Sequence, residues 1–243
     1  MRKYNLVIGK GIKLTVLAIG LLVMVNCKKE EVKPTECPTP IVVVPDPTSV
    51  TDIDGNVYPV LKICGKLWMT ENLRTTRYND SVIIPTNLTD PAWNATTSGA
   101  YSVYNSTVVT NTTAFGKLYN WFAASSGKLA PTGWHVATEA EWVALVNCLG
   151  GTSVAGGKMK STSSLWNAPN TGADNSSGFS ALPGGYRSNS GLYALIGNSC
   201  YFWGSDERNT TQGEYIVLDN NFASAAFNGA TKQFGYAIRC VKD

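Results

Sequence analysis

Hydrophobic residues recur along this chain with two periods, and each period predicts a different kind of element. Between residues 138 and 149 they fall at i, i+3, i+4 and i+7, which places them on one face of a helix. Thr138 and Glu141 form a capping box at the start of this segment, and Gly150 and Gly151 follow its end. The apolar face consists of Trp142, Leu145, Val146 and Leu149. We therefore predict a helix that begins after Thr138 and buries this face.

A second apolar pattern predicts a shorter helix in the segment AFGKLYNWFAASSG, residues 114–127. Its apolar residues again follow the spacing of one helix face. They are Phe115, Leu118, Tyr119 and Phe122.

Alternating positions predict strands elsewhere. Around Asp54-Gly55, the apolar residues Val57, Leu61 and Ile63 alternate with polar neighbours, and Asp-Gly favours a type I′ hairpin turn. Further short strands are predicted at YFWGS (201–205), GEYIVLD (213–219) and YAIRCV (236–241). Gly, Asn, Ser and Thr are abundant, and charged residues make up only 15% of the chain. This pattern predicts an α+β fold of short, mostly antiparallel strands with one or two helices and long ordered loops.

The acidic residues of the first turn raise the alternative of a calcium loop at Asp52, Asp54 and Asn56. An EF-hand loop that started at Asp52 would need a glutamate at its twelfth position, where the chain has Ile63. We therefore interpret this segment as a turn and predict no metal site and no cofactor.

The N-terminal segment has the pattern of a signal peptide. Basic residues precede an apolar run from Leu14 to Val25, which is too short to cross a bilayer as a helix. Because Cys27 follows this run after one residue, Asn26, residues 1–26 are expected to be a lipoprotein signal and Cys27 the lipidated residue. This predicts a partner, the outer membrane, which the protein contacts through a lipid anchor. The predicted location is the cell envelope.

Residues 27–50 are predicted to be the lipidated cysteine and a tether, because five prolines between positions 34 and 47 oppose both helix and central strand. Its start, Lys28 to Glu31, resembles a charged tag for export to the cell surface, and an ordinary solvated linker fits equally well. Residues 51–243 contain no further linker and are predicted to form one domain.

The charge of the mature chain excludes a nucleic-acid partner. Four of the 20 Lys and Arg precede Cys27 but none of the 17 acids does, which leaves 16 positive against 17 negative side chains. No basic patch with interleaved aromatic residues is present.

Few residues could carry catalysis. His135 is the only histidine, so a histidine-rich metal site is excluded, and its place before the capped helix favours a structural role over that of a base. No G-x-S-x-G, P-loop or G-x-G-x-x-G motif is present. The acidic pairs Glu139/Glu141 and Asp206/Glu207 could act as glycosidase carboxylates, but they fit a helix start and a solvated loop better. We therefore predict no catalytic residue and no enzyme.

Four cysteines remain in the predicted domain, and an even number in an exported chain favours two disulfides. They are Cys64, Cys148, Cys200 and Cys240, and the sequence leaves three pairings open. The alternative is that some are buried free thiols.

Six blocks of residues, taken together, resemble the Fibrobacter succinogenes major paralogous domain. They are VYPVLKICGKLWMTENL, GKLYNWFAA, GWHVATEAEW, GFSALPGGYR, YFWGSDE and YAIRCVKD; they begin at Val57, and the match covers residues 51–243. The resemblance implies a variant of the C-type lectin-like fold, in the branch that includes the formylglycine-generating enzyme. In such folds a disulfide often ties the first long helix to the last strand. This implies pairs Cys148–Cys240 and Cys64–Cys200.

Activities of the related proteins are not carried over. The cysteine pair of the formylglycine-generating oxidase has no match, because Cys200 and Cys240 lie 40 positions apart. The calcium motifs of sugar-binding lectins are also missing, with only a partial likeness in WNAPN at 166–170.

The resemblance also implies that GFSALPGGYR is mostly scaffold. Phe179 and Leu182 would be buried, Pro183 to Gly185 would turn the chain, and Arg187 would pair with an acid or a carbonyl.

The remaining function class is recognition of an extracellular glycan or protein. In this fold the long loops of the C-terminal half present the variable surface, and here they are residues 186–198, 205–215 and 218–236. Aromatic residues with asparagines suit a polar, partly stacked ligand. The candidate ligand-binding residues are Tyr186, Arg187, Tyr193, Arg208, Asn209, Tyr215, Asn220, Asn221, Phe222, Phe227 and Asn228. The alternatives are a lectin-fold enzyme and a passive envelope component.

Overall fold

The structure is a computed structural model that describes residues 46–104 and 110–243, without the side chains of residues 110–112. The predicted signal peptide 1–26, the lipidation site Cys27 and the tether up to residue 45 lie outside the described residues. Among the described residues, no helix is both long and apolar enough to cross a membrane.

The described residues form twelve strands and five helices. The strands are β1 (Ser49–Thr51), β2 (Val57–Ile63), β3 (Lys66–Met69), β4 (Tyr101–Ser102), β5 (Leu118–Tyr119), β6 (Trp134–Val136), β7 (Gly184–Arg187), β8 (Tyr193–Ile196), β9 (Ser199–Asn209), β10 (Gln212–Asp219), β11 (Ala225–Thr231) and β12 (Cys240–Lys242). The helices are α1 (Asp90–Ala95), α2 (Thr110–Phe115), α3 (Trp121–Ala124), α4 (Glu139–Cys148) and α5 (Thr152–Met159).

Two five-stranded sheets and one two-stranded sheet contain these strands. The first sheet has the order β1-β2-β3-β12-β6, and all its pairs are antiparallel. The second has the order β11-β10-β9-β7-β8 and is antiparallel except for the β7–β9 pair. β4 and β5 form the small sheet. The prediction of an α+β fold with mostly antiparallel strands is confirmed, although the described helices exceed the one or two expected.

The predicted helix after Thr138 is confirmed. The Thr138 side chain accepts a hydrogen bond from Glu141 N, and the Glu141 side chain accepts one from Thr138 N, so the capping box is complete. Trp142, Leu145 and Val146 are buried. Both Gly150 and Gly151 have positive φ, which ends the helix as expected.

The single helix predicted at 114–127 is wrong. α2 ends at Phe115, β5 occupies Leu118–Tyr119, and α3 begins at Trp121. Gly116 adopts a φ of +72° and separates the first two elements. Asn120 then caps α3 by accepting a hydrogen bond from Ala123 N. The apolar residues belong to three short elements. Their spacing is the same as that of one helix face, so the spacing alone does not reveal the breaks between the elements.

The predicted hairpin at Asp54-Gly55 is present, but its geometry differs. Residues 52–56 form a five-residue connection between β1 and β2, because Thr51 pairs with Val57. The Asp52 carboxylate organises this loop: it accepts hydrogen bonds from Asn56 N (2.9 Å) and Tyr58 OH (2.6 Å). The two-residue turn instead lies at Cys64-Gly65, where both residues have positive φ.

Strand β2 matches the expected alternation only in part, because Ile63 is buried as expected but Val57 and Leu61 are not. Tyr58, Val60 and Ile63 are buried, whereas Val57 and Leu61 are exposed. The buried hydroxyl of Tyr58 donates a hydrogen bond to Asp52, so the buried face of β2 can contain this polar atom.

Two buried clusters hold the elements together. In one, α4 and α5 cover one face of the second sheet, and the rings of Trp142 and Phe202 lie 5.5 Å apart. The other cluster lies around Tyr58, Tyr119 and Trp203. Both clusters consist mainly of aromatic and branched side chains, which gives this domain of short elements a large buried apolar area.

The C-terminal segment 235–241 connects all the sheets. Ala237 exchanges backbone hydrogen bonds with β9, and Tyr236 exchanges them with Tyr119 of β5. Cys240–Lys242 then form β12 between β3 and β6. Only these last residues of the predicted YAIRCV strand are a regular strand, because the earlier residues bridge several elements in turn.

The predicted disulfide pairing is wrong. Cys64 of the β2–β3 turn is bonded to Cys148 at the end of α4, whereas Cys200 and Cys240 are buried free thiols. Neither implied pair, Cys148–Cys240 or Cys64–Cys200, is formed. The bond does tie the long helix to the first sheet, but through the surface turn rather than through the buried last strand. The alternative of buried thiols applies to the other two cysteines.

Candidate functional site

A group of aromatic side chains lies at the surface of the second sheet, and we call it the tyrosine cluster. It consists of Tyr186, Tyr201, Tyr215, Phe234 and Tyr236. The first four are half-buried and Tyr236 is 3% exposed. Trp203 lies two residues after Tyr201 on β9, so the two side chains point to the same face of the sheet. Tyr215 of β10 is paired with Trp203 and therefore points to that face as well, which brings Tyr215 beside Tyr201.

Ring contacts hold the cluster in a fixed arrangement. Tyr236 stacks on Tyr201, with ring centroids 5.0 Å apart and planes inclined by 19°. Tyr186 contacts Tyr201 edge-on at 5.1 Å, and Tyr215 lies 5.8 Å from Tyr201. Phe234 lies 5.8 Å from Tyr186. The buried ring of Tyr236 therefore supports a layer of four partly exposed rings.

The cluster presents neutral hydroxyl groups. Burial raises the pKa of Tyr201 to about 12, and it also raises the pKa of Tyr215, so both remain protonated at physiological pH. The hydroxyls of Tyr186 and Tyr215 form no hydrogen bond with any part of the chain that the structure describes. These two hydroxyls are therefore available to solvent or to a ligand.

Three of the candidate ligand-binding residues are brought together at this site. Tyr186 and Tyr215 belong to the cluster, and exposed Asn228 pairs with Tyr215 in the neighbouring strand β11. The segments that were predicted as long loops are mostly the hairpins β7–β8, β9–β10 and β10–β11. Their Gly and Asn residues mark short turns, which explains why the surface is a sheet face rather than a set of loops.

Arg187 lies in the scaffold instead. Its guanidinium forms an ion pair with Asp90 (2.8 Å), donates to Leu88 O (3.2 Å) and lies 4.4 Å from the Trp93 ring centroid. The expected pairing with an acid or a carbonyl is therefore confirmed. Tyr193 is half-buried against Arg187 and Tyr104, outside the cluster.

The stretch that precedes Arg187 has the expected scaffold role in most respects. Phe179 is fully buried, but Leu182 is only partly buried and lines a surface cavity. Gly185 has a φ of +63°, and a Cβ there would lie 2.3 Å from Ala194 O, so only glycine fits.

The other candidates are distributed over separate places. Asn209 accepts hydrogen bonds from Thr211 N and Gln212 N and closes the β9–β10 turn. Arg208 is paired with Glu214 at 3.4 Å. Asn220 is 4% exposed and donates to Asn167 O and Ala168 O.

The remaining three candidates lie in the β10–β11 connection or near the start of β11. Asn221 bonds to Asp219, exposed Phe222 lies beyond it, and Phe227 packs against the helix-side core. None of the three is part of the tyrosine cluster.

Sequence reasoning missed Tyr201, Phe234 and Tyr236 as site residues. Tyr201 was assigned to the YFWGS strand, and Phe234 lies in a segment whose position depends on contacts with β7 and β5. Alternation along YFWGS could have placed Tyr201 on the face opposite to the buried Phe202.

His135 is held between two carboxylates. Its Nδ1 lies 2.7 Å from Asp243 Oδ1, and its Nε2 lies 2.9 Å from Glu141 Oε2. Burial alone would lower the pKa of His135, but these two hydrogen bonds outweigh it and raise the pKa. Burial likewise acts to raise the pKa of Glu141, but bonds from Lys66, Thr138 and His135 lower it to about 2. This arrangement suits a structural ion pair rather than a base.

The other carboxylates that were considered also have structural contacts. Asp206 Oδ2 accepts a hydrogen bond from Glu139 N at the start of α4, and Glu207 pairs with Lys232 at 2.6 Å. Burial raises the pKa of the Cys200 thiol to about 12, so that thiol is protonated. Within the described ranges, no group of three or more His, Cys, Asp or Glu is arranged to hold a metal ion.

Comparison with known proteins gives one family. The model of the family described as the Fibrobacter succinogenes major domain matches residues 61–242. Searches of the curated proteins and of the solved structures found no significant match.

Proposed function

The chain belongs to the Fibrobacter succinogenes major domain family, and on this premise we propose that it is an exported, lipid-anchored recognition protein of the cell envelope. Its domain binds an extracellular glycan or protein at the tyrosine cluster, and it does so without catalysis. The observation that carries this proposal is the layer of half-buried rings that Tyr236 supports, with the free hydroxyls of Tyr186 and Tyr215.

The physical argument for recognition is the balance of apolar and polar surface in the cluster. A tyrosine ring offers an apolar face to the CH groups of a sugar or to a side chain, and its hydroxyl adds a hydrogen bond. Rings that are already packed lose little conformational entropy on binding. Asn228, beside Tyr215, adds an amide that both donates and accepts.

The charges around the cluster favour an uncharged ligand surface. Lys232, the residue two positions before Phe234, is paired with Glu207. Arg208, on β9, is paired with Glu214. Neither Lys232 nor Arg208 therefore adds an unpaired charge beside the cluster, and contacts with the aromatic rings dominate ligand binding.

The test is a binding screen of the full mature chain against arrays of glycans and extracellular matrix proteins, followed by two substitutions. Tyr215→Ala removes a ring of the cluster, and Tyr193→Ala removes a half-buried tyrosine outside it. Loss of binding in the first variant only, with both variants folded, supports the proposal. A ligand whose affinity is equal for both variants and the parent chain contradicts it.

The proposed location has its own test. Protease treatment of intact cells, with lysed cells as control, is expected to remove the domain if it is outside. Cys27→Ser is expected to release the protein from the membrane fraction. Protection of the domain until lysis would contradict adhesion to an extracellular ligand and favour a periplasmic role.

We also propose that the fold is a variant of the C-type lectin-like fold. The resemblance of the six sequence blocks supports this, and so does the place of β12 in the same sheet as β1, which brings the two ends of the domain together. An experimental structure that superposes on a lectin domain over both sheets would establish it, and a different strand order would refute it.

A further inference from the structure

A cavity of about 260 Å³ lies next to the C-terminal segment, with Arg239 among its lining residues. Pockets for drug-sized ligands have volumes of about 300–1,000 Å³, so this cavity suits an occupant of roughly monosaccharide size. Its wall comes from residues 70–74 after β3, from the end of α2 and from residues 161–163 and 180–182.

Arg239 gives this cavity a buried positive charge. The side chain is 1% exposed, and no ion pair joins it to an acid in the described part of the chain. Its Nε donates to Asn72 Oδ1 (2.7 Å), and its Nη1 donates to Met69 O and Phe179 O, both at 2.9 Å. These neutral acceptors fix the guanidinium in place without neutralising it.

One N–H group of the guanidinium has no acceptor within the described residues. Nη2 carries two hydrogens and donates to Ser180 O at 3.3 Å, and Ser180 itself lines the cavity. A buried charge without a counter-ion costs free energy that an anion beside it would recover. Burial lowers the pKa of Arg239 to about 9, which still leaves it charged at physiological pH.

The rim of the cavity does not cancel this charge. Glu71 and Arg74 both line the cavity and form an ion pair with each other at 2.8 Å. The three ionised side chains of the wall therefore leave one net positive charge, which matches one carboxylate.

Hydroxyl-bearing residues are frequent in the wall of the cavity. Five lining residues carry a hydroxyl: Thr70, Thr113, Ser161, Ser163 and Ser180. Such a wall can exchange hydrogen bonds with several hydroxyls of a ligand, whereas the guanidinium fork matches the two oxygens of a carboxylate.

We propose that this cavity is a binding site for a small hydroxylated monocarboxylate, of which a uronic acid sugar is the type, with its carboxylate facing Arg239. The site is separate from the tyrosine cluster in its residues, and the proposal does not depend on the function proposed for that cluster.

The test is a titration of the full mature chain with sodium glucuronate, glucose and inorganic phosphate, followed by calorimetry and NMR. Two variants probe the site while leaving Arg239 in place. Glu71→Gln removes the only negative charge of the wall and is expected to tighten glucuronate binding by about threefold, as is typical of one exposed charge pair. Ser163→Phe fills the cavity and is expected to abolish binding.

The matched control is Glu207→Gln. Glu207 and Glu71 have the same 49% side-chain exposure, and each is paired with one cation, but Glu207 lies outside the cavity wall. Its substitution is expected to leave the affinity unchanged.

The results of this titration either support the proposed site or overturn it. Binding of glucuronate but not glucose, tightened by Glu71→Gln and unaffected by Glu207→Gln, supports the site. No glucuronate binding, or binding that neither cavity variant changes, overturns it. Equal affinity for phosphate, with the same response to the variants, shows a general anion site and overturns the carboxylate assignment. If Ser163→Phe does not fold, the comparison of the two glutamate variants decides alone.

Discussion

Asn72 joins the C-terminal segment to α2 through Arg239. Its Oδ1 accepts a hydrogen bond from Arg239 Nε at 2.7 Å, and its Nδ2 donates to Phe115 O at 2.8 Å. The two residues Asn72 and Arg239 are 167 positions apart in the chain, and both are buried. A single amide thus orients the buried guanidinium and at the same time satisfies the last turn of a helix.

The first prediction concerns this amide. Asn72→Ala leaves a charged donor and a carbonyl buried without partners, and we expect it to lower the free energy of unfolding by about 3 kcal/mol. Urea denaturation measures this loss. The control Asn147→Ala, on the exposed face of α4, is expected to change stability by less than about 0.5 kcal/mol. Equal effects of the two substitutions would show that the Arg239 contact does not stabilise the fold.

The second prediction concerns the cysteines. Non-reducing peptide mapping is expected to find Cys64 linked to Cys148, and Cys200 and Cys240 are expected to react with a thiol reagent only after unfolding. Replacing both linked cysteines by serine opens a loop of 84 residues, which corresponds to about 4.5 kcal/mol in the chain-entropy account. A peptide that links Cys148 to Cys240 would contradict the structure.

The third prediction separates support from surface within the tyrosine cluster. Tyr236→Ala removes a buried ring that contacts Trp203 at 4.4 Å, and we expect it to cost about 4 kcal/mol. Tyr215→Phe removes only a hydroxyl without a partner in the described chain, so we expect a change below about 0.5 kcal/mol. Thermal and urea unfolding of both variants measure the difference. A large loss in Tyr215→Phe would mean that this hydroxyl is used within the protein.

The fourth prediction is a dependence of stability on pH. The pKa of His135 is raised above its ordinary value of 6.5, so its contribution is fully present below 6.5 and is lost as the pH rises through the folded-state pKa. The pKa of Glu141 is lowered from 4.5 to about 2, so its contribution is present above 4.5 and is lost as the pH falls toward 2. We therefore expect this pair to stabilise the fold most between pH 4.5 and 6.5.

Comparison of the parent chain with His135→Gln checks this prediction. The free energy of unfolding of the parent should fall more steeply above pH 6.5 than that of the variant. Parallel curves would show that His135 has the same pKa in the folded and unfolded states.

Features that depend on neighbouring residues were predictable from the sequence. The capping box of Thr138 and Glu141 acts within one helical turn, so the helix was placed correctly. The turn after β1 was also found, although the exact loop was not, because Asp52 closes it with its side chain. The acid partner of Arg187 was expected, but its identity, Asp90, depends on a contact over 97 positions.

Features that depend on distant pairing were not predictable. The cysteine partners follow from the distance between the β2–β3 turn and the end of α4, which no spacing in the sequence reveals. The tyrosine cluster requires the register of β9 against β10, because a shift by one residue would direct Tyr201 into the helix-side core. The helix predicted at 114–127 failed because Gly116 and Asn120 divide an apolar pattern that looked continuous.

The place of β12 between β3 and β6 has a consequence for the order of events during synthesis. β3 and β6, whose first residues Lys66 and Trp134 lie 68 positions apart, are joined in one sheet only through Cys240–Lys242. Of all the residues in this sheet, the ribosome adds Cys240–Lys242 last, at a synthesis rate of about 5–20 residues per second. β3 and β6 are therefore synthesised before the strand that pairs with both of them. The first sheet can therefore be completed only after Cys240–Lys242 have been synthesised, and until then β6 has no strand partner in that sheet.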